Sequence, residues 1–201
     1  MIDFCEIGGR VISTSRVVLR PWAVADVADA LSIYGSPAVA HWLEPEMSRV
    51  PDSDAMASIL QAWIDEGAAA LPPIGRWAVT LASSTQTGYV VGGAALMPFG
   101  PVGEDLQMSW QLQPTWWGKG LATEAGHALA HYAFVHGAAE VFAVVRPRNR
   151  RATTVAERVG MEWVGETDKY YARELQVYRL LRADLDAPVG GVLVTPGHEG
   201  L

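Results

Sequence analysis

The chain has 201 residues, of which 50% are apolar and 18% charged, a composition that favours a globular protein over a disordered one. Its net charge of −7 disfavours a broad nucleic-acid-binding surface, because phosphate recognition relies on clustered Lys and Arg. The only cysteine, Cys5, excludes an internal disulfide, and neither a signal peptide nor a transmembrane run is evident, so we expect a cytoplasmic protein without membrane or nucleic-acid partners.

Apolar periodicity predicts a strand, two helices and a hairpin in the first half of the chain. The predicted elements are a strand at 16–20, helices at 26–34 and from 52 onward, and hairpin strands at 77–81 and 89–96 joined by a polar turn at 83–88. Gly35, Ser36 and Pro37 are expected to end the first helix. Trp22, Trp42, Trp63 and Trp77 are expected to contribute to the core.

The second half continues with alternating strands and helices. The predicted elements are a strand at 106–112, a helix at 120–136, a strand at 141–145, a helix at 150–159 and strands at 162–166 and 175–181. The sum is one α/β domain over 1–185, with a mixed sheet and helices on its faces. Residues 186–201 contain four glycines and two prolines without periodicity, which predicts a flexible tail.

The most informative segment is the turn Trp117-Gly118-Lys119-Gly120-Leu121-Ala122-Thr123, which follows a strand and opens a long helix. Glycines let the backbone approach a ligand closely, and a helix N-terminus offers free N–H groups to a phosphate. A Walker loop would need an earlier glycine and a Ser or Thr after the lysine. A Rossmann fingerprint would need a glycine at Thr123. A turn with glycines for packing alone remains the third alternative.

Three ordered segments carry a family resemblance. They are Arg16-Val17-Val18-Leu19-Arg20-Pro21, the turn at 117–123 followed by Glu124 and Ala125, and Val145-Arg146-Pro147-Arg148-Asn149-Arg150-Arg151-Ala152 with Val159-Gly160-Met161 downstream. Over about 15–185 the sequence resembles the GNAT superfamily of N-acetyltransferases, in particular its ribosomal-protein (RimJ/RimL-like) branch. Trp117 stands where the superfamily usually has Gln or Arg, a replacement common in that branch.

The resemblance implies a mostly antiparallel central sheet with helices on both faces, and direct acetyl transfer from acetyl-CoA to an amine without a metal. The acceptor would be a protein or peptide N-terminus or a small molecule, and a homodimer is a candidate assembly. Backbone amides of the turn would hold the pyrophosphate, and the preceding strand would pair with pantetheine. The implied cofactor-binding residues are Trp110, Gln111, Leu112, Trp117, Gly118, Lys119, Gly120, Leu121, Ala122, Thr123, Asn149 and Arg151.

Several polar residues admit more than one interpretation. The basic cluster Arg146, Arg148, Arg150 and Arg151 fits the 3′-phosphate of coenzyme A, an acidic substrate or a solvated turn. His127 and His131 lie four apart on one helix, but no third ligand is evident, so we do not expect a metal site. Glu124 falls in the first helical turn, where the dipole favours a carboxylate, and this indicates a structural role.

The general base is not identified by the sequence. Gln107 aligns with the glutamate of the branch and cannot act as a base, so Glu104 and Asp105, the nearest carboxylates, are the catalytic candidates together with Asn149. Ala156 replaces the usual tyrosine acid, and Tyr170 and Tyr171 are candidate substitutes. Because of these departures, a coenzyme-A-binding module without turnover remains an alternative function.

Overall fold

The computed structural model describes residues 5–43, 47–82, 88–99, 103, 105–168 and 174–185, together with the backbone of 192–195. Ten strands form one sheet: β1 Cys5–Gly8, β2 Val11–Thr14, β3 Val17–Pro21, β4 Gly75–Leu81, β5 Val90–Phe99, β6 Asp105–Leu112, β7 Glu140–Val145, β8 Glu162–Thr167, β9 Leu175–Leu181 and β10 Val192–Thr195. The helices are α1 Val27–Tyr34, α2 Pro37–Leu43, α3 Ser53–Ala69, α4 Leu121–Val135 and α5 Arg150–Val159.

The strand order is β10-β1-β2-β3-β4-β5-β6-β7-β9-β8, and the β1–β10 and β6–β7 pairs are parallel whereas the other neighbours are antiparallel. Helices α1 to α3 pack on one face of the sheet and α4 and α5 on the other. The predicted fold class, a mixed and mostly antiparallel sheet covered by helices on both faces, is therefore confirmed.

Each face of the sheet has its own apolar core. The α4 side is filled by strand residues such as Leu19 and Val79 against Leu129 and Ala133 of α4. On the other side, Ile33 of α1 and Leu60 of α3 pack over Ala78 of β4 in the second core, with Trp22, Tyr34 and Trp63 in aromatic contact nearby. Trp117, in the turn between β6 and α4, packs against both cores.

Most predicted elements are present within one or two residues of their predicted bounds. The first helix ends at Tyr34, directly before Gly35, Ser36 and Pro37, as predicted. Pro37 is also the first residue of α2, a helix that was not predicted, since the missing N–H of proline costs nothing at that position. The short strands β1 and β2 were not predicted. Within the predicted tail, Val192–Thr195 form a strand that pairs with β1, whereas 186–191 and 196–201 lie outside the described residues.

Candidate active site

A cleft of about 450 Å³ opens where β6 and β7 separate. These parallel strands share one register pair, Gln107 with Phe142, although β6 continues to Leu112 and β7 to Val145. Both diverging segments line the cleft. Edge backbone groups of β6 beyond Gln107 are thus directed at open space rather than at β7, and such groups can pair with an extended ligand.

The turn at 117–123 closes one end of the cleft. Gly118 and Gly120 both have left-handed backbone conformations, with φ of +76° and +77°, which only glycine adopts readily. Gly120 caps α4, and the first intrahelical bond runs from the Glu124 N–H to the Gly120 carbonyl at 3.1 Å. The amides of Leu121, Ala122 and Thr123 precede that bond, so they are the orphan donors of the helix and lie at the positive end of its dipole.

Trp116 and Trp117 lie just before the glycines of the turn and line the cleft. The Trp117 indole N–H donates to the Leu112 carbonyl at 2.8 Å, and the Arg151 guanidinium lies 4.5 Å from the centre of the Trp117 ring. Lys119 is exposed and its ammonium lies 4.2 Å from the centre of the Trp116 ring. Trp116 lines the cleft, whereas Lys119 is not among the lining residues.

Helix α5 and the turn that precedes it supply positive charge to the cleft. Arg146, Arg150, Arg151 and Arg158 line the cleft, although the chain as a whole carries a net charge of −7. No carboxylate is found among the described lining residues. A cleft with four guanidiniums and a helix N-terminus is suited to a ligand that carries several phosphates.

Asn149 caps α5 from the edge of the cleft. Its side-chain oxygen accepts from the Ala152 N–H at 3.2 Å. Capping uses the oxygen, so the amide NH₂ group is the part of the side chain that can donate to a ligand. Asn149 can therefore stabilise the start of α5 and, because it lines the cleft, also donate to a ligand there.

The wall opposite the basic turn comes from α2 and β6. Val39, Trp42 and Leu43 of α2 face the cleft, and Gln107, Ser109 and Gln111 are its neutral polar residues on β6. Arg146 holds α2 in place, because its guanidinium donates to the His41 carbonyl and lies 5.7 Å from the Trp42 ring. Sequence reasoning missed this contact, which joins residues 105 positions apart.

The structure thus gathers most of the predicted cofactor-binding residues around one cleft. Trp110, Gln111, Leu112, Trp117, Gly118, Gly120, Leu121, Ala122, Thr123, Asn149 and Arg151 line it. Asp105 is exposed at the start of β6 and is not a lining residue, while Glu104, Tyr170 and Tyr171 lie outside the described residues. Trp42 lines the cleft, whereas Trp63 packs against Tyr34 and Trp22 and is not a lining residue.

Ala156 is fully buried in the core on the α4 face, so the position where the family's tyrosine would fall faces packed side chains. Among the described residues, no group of three or more His, Cys, Asp or Glu side chains is arranged to hold a metal ion. Within the same residues, no helix has the length and apolar character that crossing a bilayer requires.

A sheet that splays beside a glycine-flanked helix N-terminus forms a cleft suited to an extended ligand that carries phosphates, and comparison with known proteins identifies the family. The family model "Acetyltransferase (GNAT) domain" matches residues 16–162. An acetyltransferase of the GNAT family from Bacillus anthracis superposes with a TM-score of 0.70 at 18% identity, covering 85% of this chain and 98% of that one. The chain belongs to the GNAT family of acetyltransferases, and it is an N-acetyltransferase.

Two further solved structures are similar in fold. An acetyltransferase from Agrobacterium tumefaciens str. C58 has a TM-score of 0.69 at 24% identity and covers 88% of this chain and 96% of its own. RimJ from Mycobacterium smegmatis, in complex with CoA-disulfide, has a TM-score of 0.70 at 18% identity, covering 86% and 85%. GNAT domains use acetyl-CoA as the acetyl donor, and the residues of the cleft have the donors and charges that this molecule needs.

Proposed function

We propose that the cleft between β6 and β7 binds acetyl-CoA and that the enzyme transfers the acetyl group directly to the α-amine of a peptide or protein. The observation that carries this proposal is the convergence of the orphan amides of Leu121, Ala122 and Thr123 with four arginines on one cleft. Main-chain donors would take the diphosphate, and the free edge of β6 would pair with the pantetheine arm. The motif resemblance to the ribosomal-protein (RimJ/RimL-like) branch supports the choice of a peptide or protein acceptor.

The chemistry of the lining supports an α-amine over a lysine side chain. Only the neutral amine attacks a thioester, and an α-amine has a pKa of about 8 whereas a lysine amine has one of about 10.4. The described lining residues include no Asp, Glu, His, Tyr, Cys or Lys side chain that could remove a proton. An acceptor that is already partly neutral near pH 7 makes the smallest demand on such a site.

The remaining parts of the reaction fall to groups that orient and polarise. Backbone N–H groups on the edge of β6 would align the thioester carbonyl and stabilise the charge that develops on its oxygen. The amide NH₂ of Asn149 is a candidate donor to the cofactor or to the attacking amine. Water would carry the proton from the amine, and the departing thiolate would be protonated from solvent.

The test is acetyl-CoA-dependent release of free thiol with matched peptides that have a free or a blocked α-amine, and with a panel of small amines. We expect release with the free peptide and none with the blocked one. Equal inertness of both peptides alongside rapid release with a small amine would contradict the peptide acceptor. Tight binding of acetyl-CoA with no release across the whole panel would indicate a coenzyme-A-binding module instead.

A further inference from the structure

A buried carboxylate lies directly beneath the glycine turn. Glu124, in the first turn of α4, is 5% exposed. It accepts hydrogen bonds from the Thr14 hydroxyl at 2.6 Å, from the Arg16 backbone N–H at 2.9 Å and from Arg16 Nε at 2.5 Å. Three donors, one of them cationic, thus compensate the desolvation of this charge.

The two terminal nitrogens of the Arg16 guanidinium contact the glycine turn itself. Its Nη1 donates to the Lys119 carbonyl at 3.0 Å and its Nη2 lies 3.5 Å from the Gly120 carbonyl. In a trans peptide the C=O and the following N–H point in opposite directions. Holding these two carbonyls toward Arg16 therefore turns the N–H groups of Gly120 and Leu121 away from it, toward the cleft that both residues line.

The ion pair between Arg16 and Glu124 also offsets the negative charge near the turn. A carboxylate near the α4 N-terminus would repel the phosphates that we place there, and in a buried setting that repulsion is weakly screened. Arg16 neutralises it without lining the cleft itself, because its side chain reaches the turn from the β2 to β3 side. One residue thus sets both the direction of the turn amides and the charge behind them.

We propose that Arg16 is a positioning residue for the diphosphate of coenzyme A, acting through Glu124 and the carbonyls of Lys119 and Gly120. This role rests on the proposed function of the cleft. Arg16 touches no ligand in this arrangement, so its effect on affinity comes entirely from the geometry and charge of the turn.

The chain offers a matched control on the neighbouring strand. Arg20 makes a two-point ion pair with Asp26, with both N–O distances at 2.8 Å, and Asp26 is 8% exposed. Asp26 also accepts from the Ala23 N–H at 2.8 Å. This pair joins β3 to the start of α1. Its carboxylate is about as buried as that of Glu124, although the Arg20 side chain is 28% exposed and that of Arg16 is 54% exposed.

The experiment measures the Kd for coenzyme A by calorimetry, at a temperature where circular dichroism shows each variant folded. Arg16→Lys keeps the charge but loses the fork that reaches both carbonyls and the carboxylate, and we expect the Kd to rise about tenfold or more. Arg16→Gln removes both the charge and the fork, and it should raise the Kd at least as much as Arg16→Lys. Arg20→Lys should lower the Tm and leave the Kd unchanged.

An Arg16→Lys variant that binds coenzyme A as tightly as the wild type would overturn this role while leaving the proposed function intact. Absence of coenzyme A binding by the wild type would overturn both. If Arg16→Lys does not fold, Arg16→Gln decides by the same criterion. A rise in Kd for Arg20→Lys equal to that for Arg16→Lys would also overturn the role, because general loosening of the fold would then explain both.

Discussion

The indole N–H of Trp117 donates to the carbonyl of Leu112 at 2.8 Å, so the last residue of β6 is tied to the first residue of the glycine turn. This bond spans the two parts of the cleft that would hold pantetheine and diphosphate. Arg151, whose guanidinium lies over the Trp117 ring, adds a contact from α5. The indole therefore fixes the spacing between the two parts of the cofactor site.

Replacement of Trp117 by Phe keeps an aromatic ring for Arg151 and removes the N–H donor. We expect coenzyme A to bind about fivefold more weakly, because one neutral hydrogen bond contributes about 1 kcal/mol. Calorimetric titration provides the measurement. Trp163→Phe is the control, since Trp163 is 56% exposed on the edge strand β8, and an equal loss in both variants would speak against a specific role for Trp117.

Asn149 allows capping to be separated from ligand binding. Asn149→Ser retains a side-chain cap for α5 and loses the amide NH₂, so we expect near wild-type stability with turnover reduced about tenfold. Asn149→Ala should in addition lose about 1 kcal/mol of stability. Asp52→Ala is the matched control, because Asp52 caps α3 through a 2.9 Å bond from the Ala55 N–H. It should lose stability without losing turnover, and unimpaired turnover in Asn149→Ser would exclude a role for the amide.

His131 predicts how stability depends on pH. It is buried on α4, and desolvation together with nearby His127 lowers its pKa to about 4, from 6.5 in the unfolded chain. Between pH 6.5 and pH 4 the unfolded state binds more protons than the folded state. The contribution of this residue to stability is therefore complete above pH 6.5 and is lost as the pH falls toward 4. His131 should therefore make the free energy of unfolding, measured with denaturant, about 1 to 2 kcal/mol lower at pH 5 than at pH 6.5.

The matching variant is His131→Leu, which removes the ionisable group from a buried site. Its unfolding free energy should change less between pH 6.5 and pH 5 than that of the wild type, whatever its absolute stability. An identical pH dependence in the two proteins would show that His131 does not titrate in this way.

The burial of Cys5 determines whether the protein's own thiol would interfere with the thiol-release assay. The side chain is completely buried in β1, and this burial raises the pKa of its thiol to about 11. At pH 8 the native protein should therefore react only slowly with a thiol reagent, while protein unfolded in guanidinium chloride should react with one equivalent. Rapid stoichiometric reaction of the native protein would show that Cys5 is accessible, and the thiol-release assay would then need a Cys5→Ser background.

Local patterns were sufficient to predict the elements that surround the site. The helix at 150–159 was predicted at its observed bounds, and the turn at 117–123 was placed between a strand and a helix because its glycines and the apolar periodicity after them are sequence-local signals. The hairpin of β1 and β2 was missed because each strand has only four residues, although Gly9, at φ +59°, is a turn signal.

Contacts between distant residues could not be predicted. The carboxylate of Glu124 was assigned a structural role from the helix dipole, but its partner Arg16 lies 108 positions away. The separation of β6 from β7 likewise depends on tertiary packing, which no local pattern encodes. The catalytic candidates Glu104 and Asp105 were chosen by nearness in sequence, and Asp105 shows why that criterion is weak, since it is exposed and away from the cleft lining.

The most direct test of the cofactor site is calorimetric titration of coenzyme A into the wild type, Gly120→Val and Gly9→Val. Gly120 lines the cleft, and an added Cβ would lie 3.4 Å from the Arg16 guanidinium, so the larger Val side chain would displace Arg16 from the carbonyls that it orients. A Cβ at Gly9 would meet nothing within 4 Å. Both positions have positive φ, so both variants carry comparable backbone strain. We predict one-to-one binding by the wild type and by Gly9→Val, and loss of binding in folded Gly120→Val. Wild-type affinity in Gly120→Val would contradict the assignment of the glycine turn as the diphosphate site.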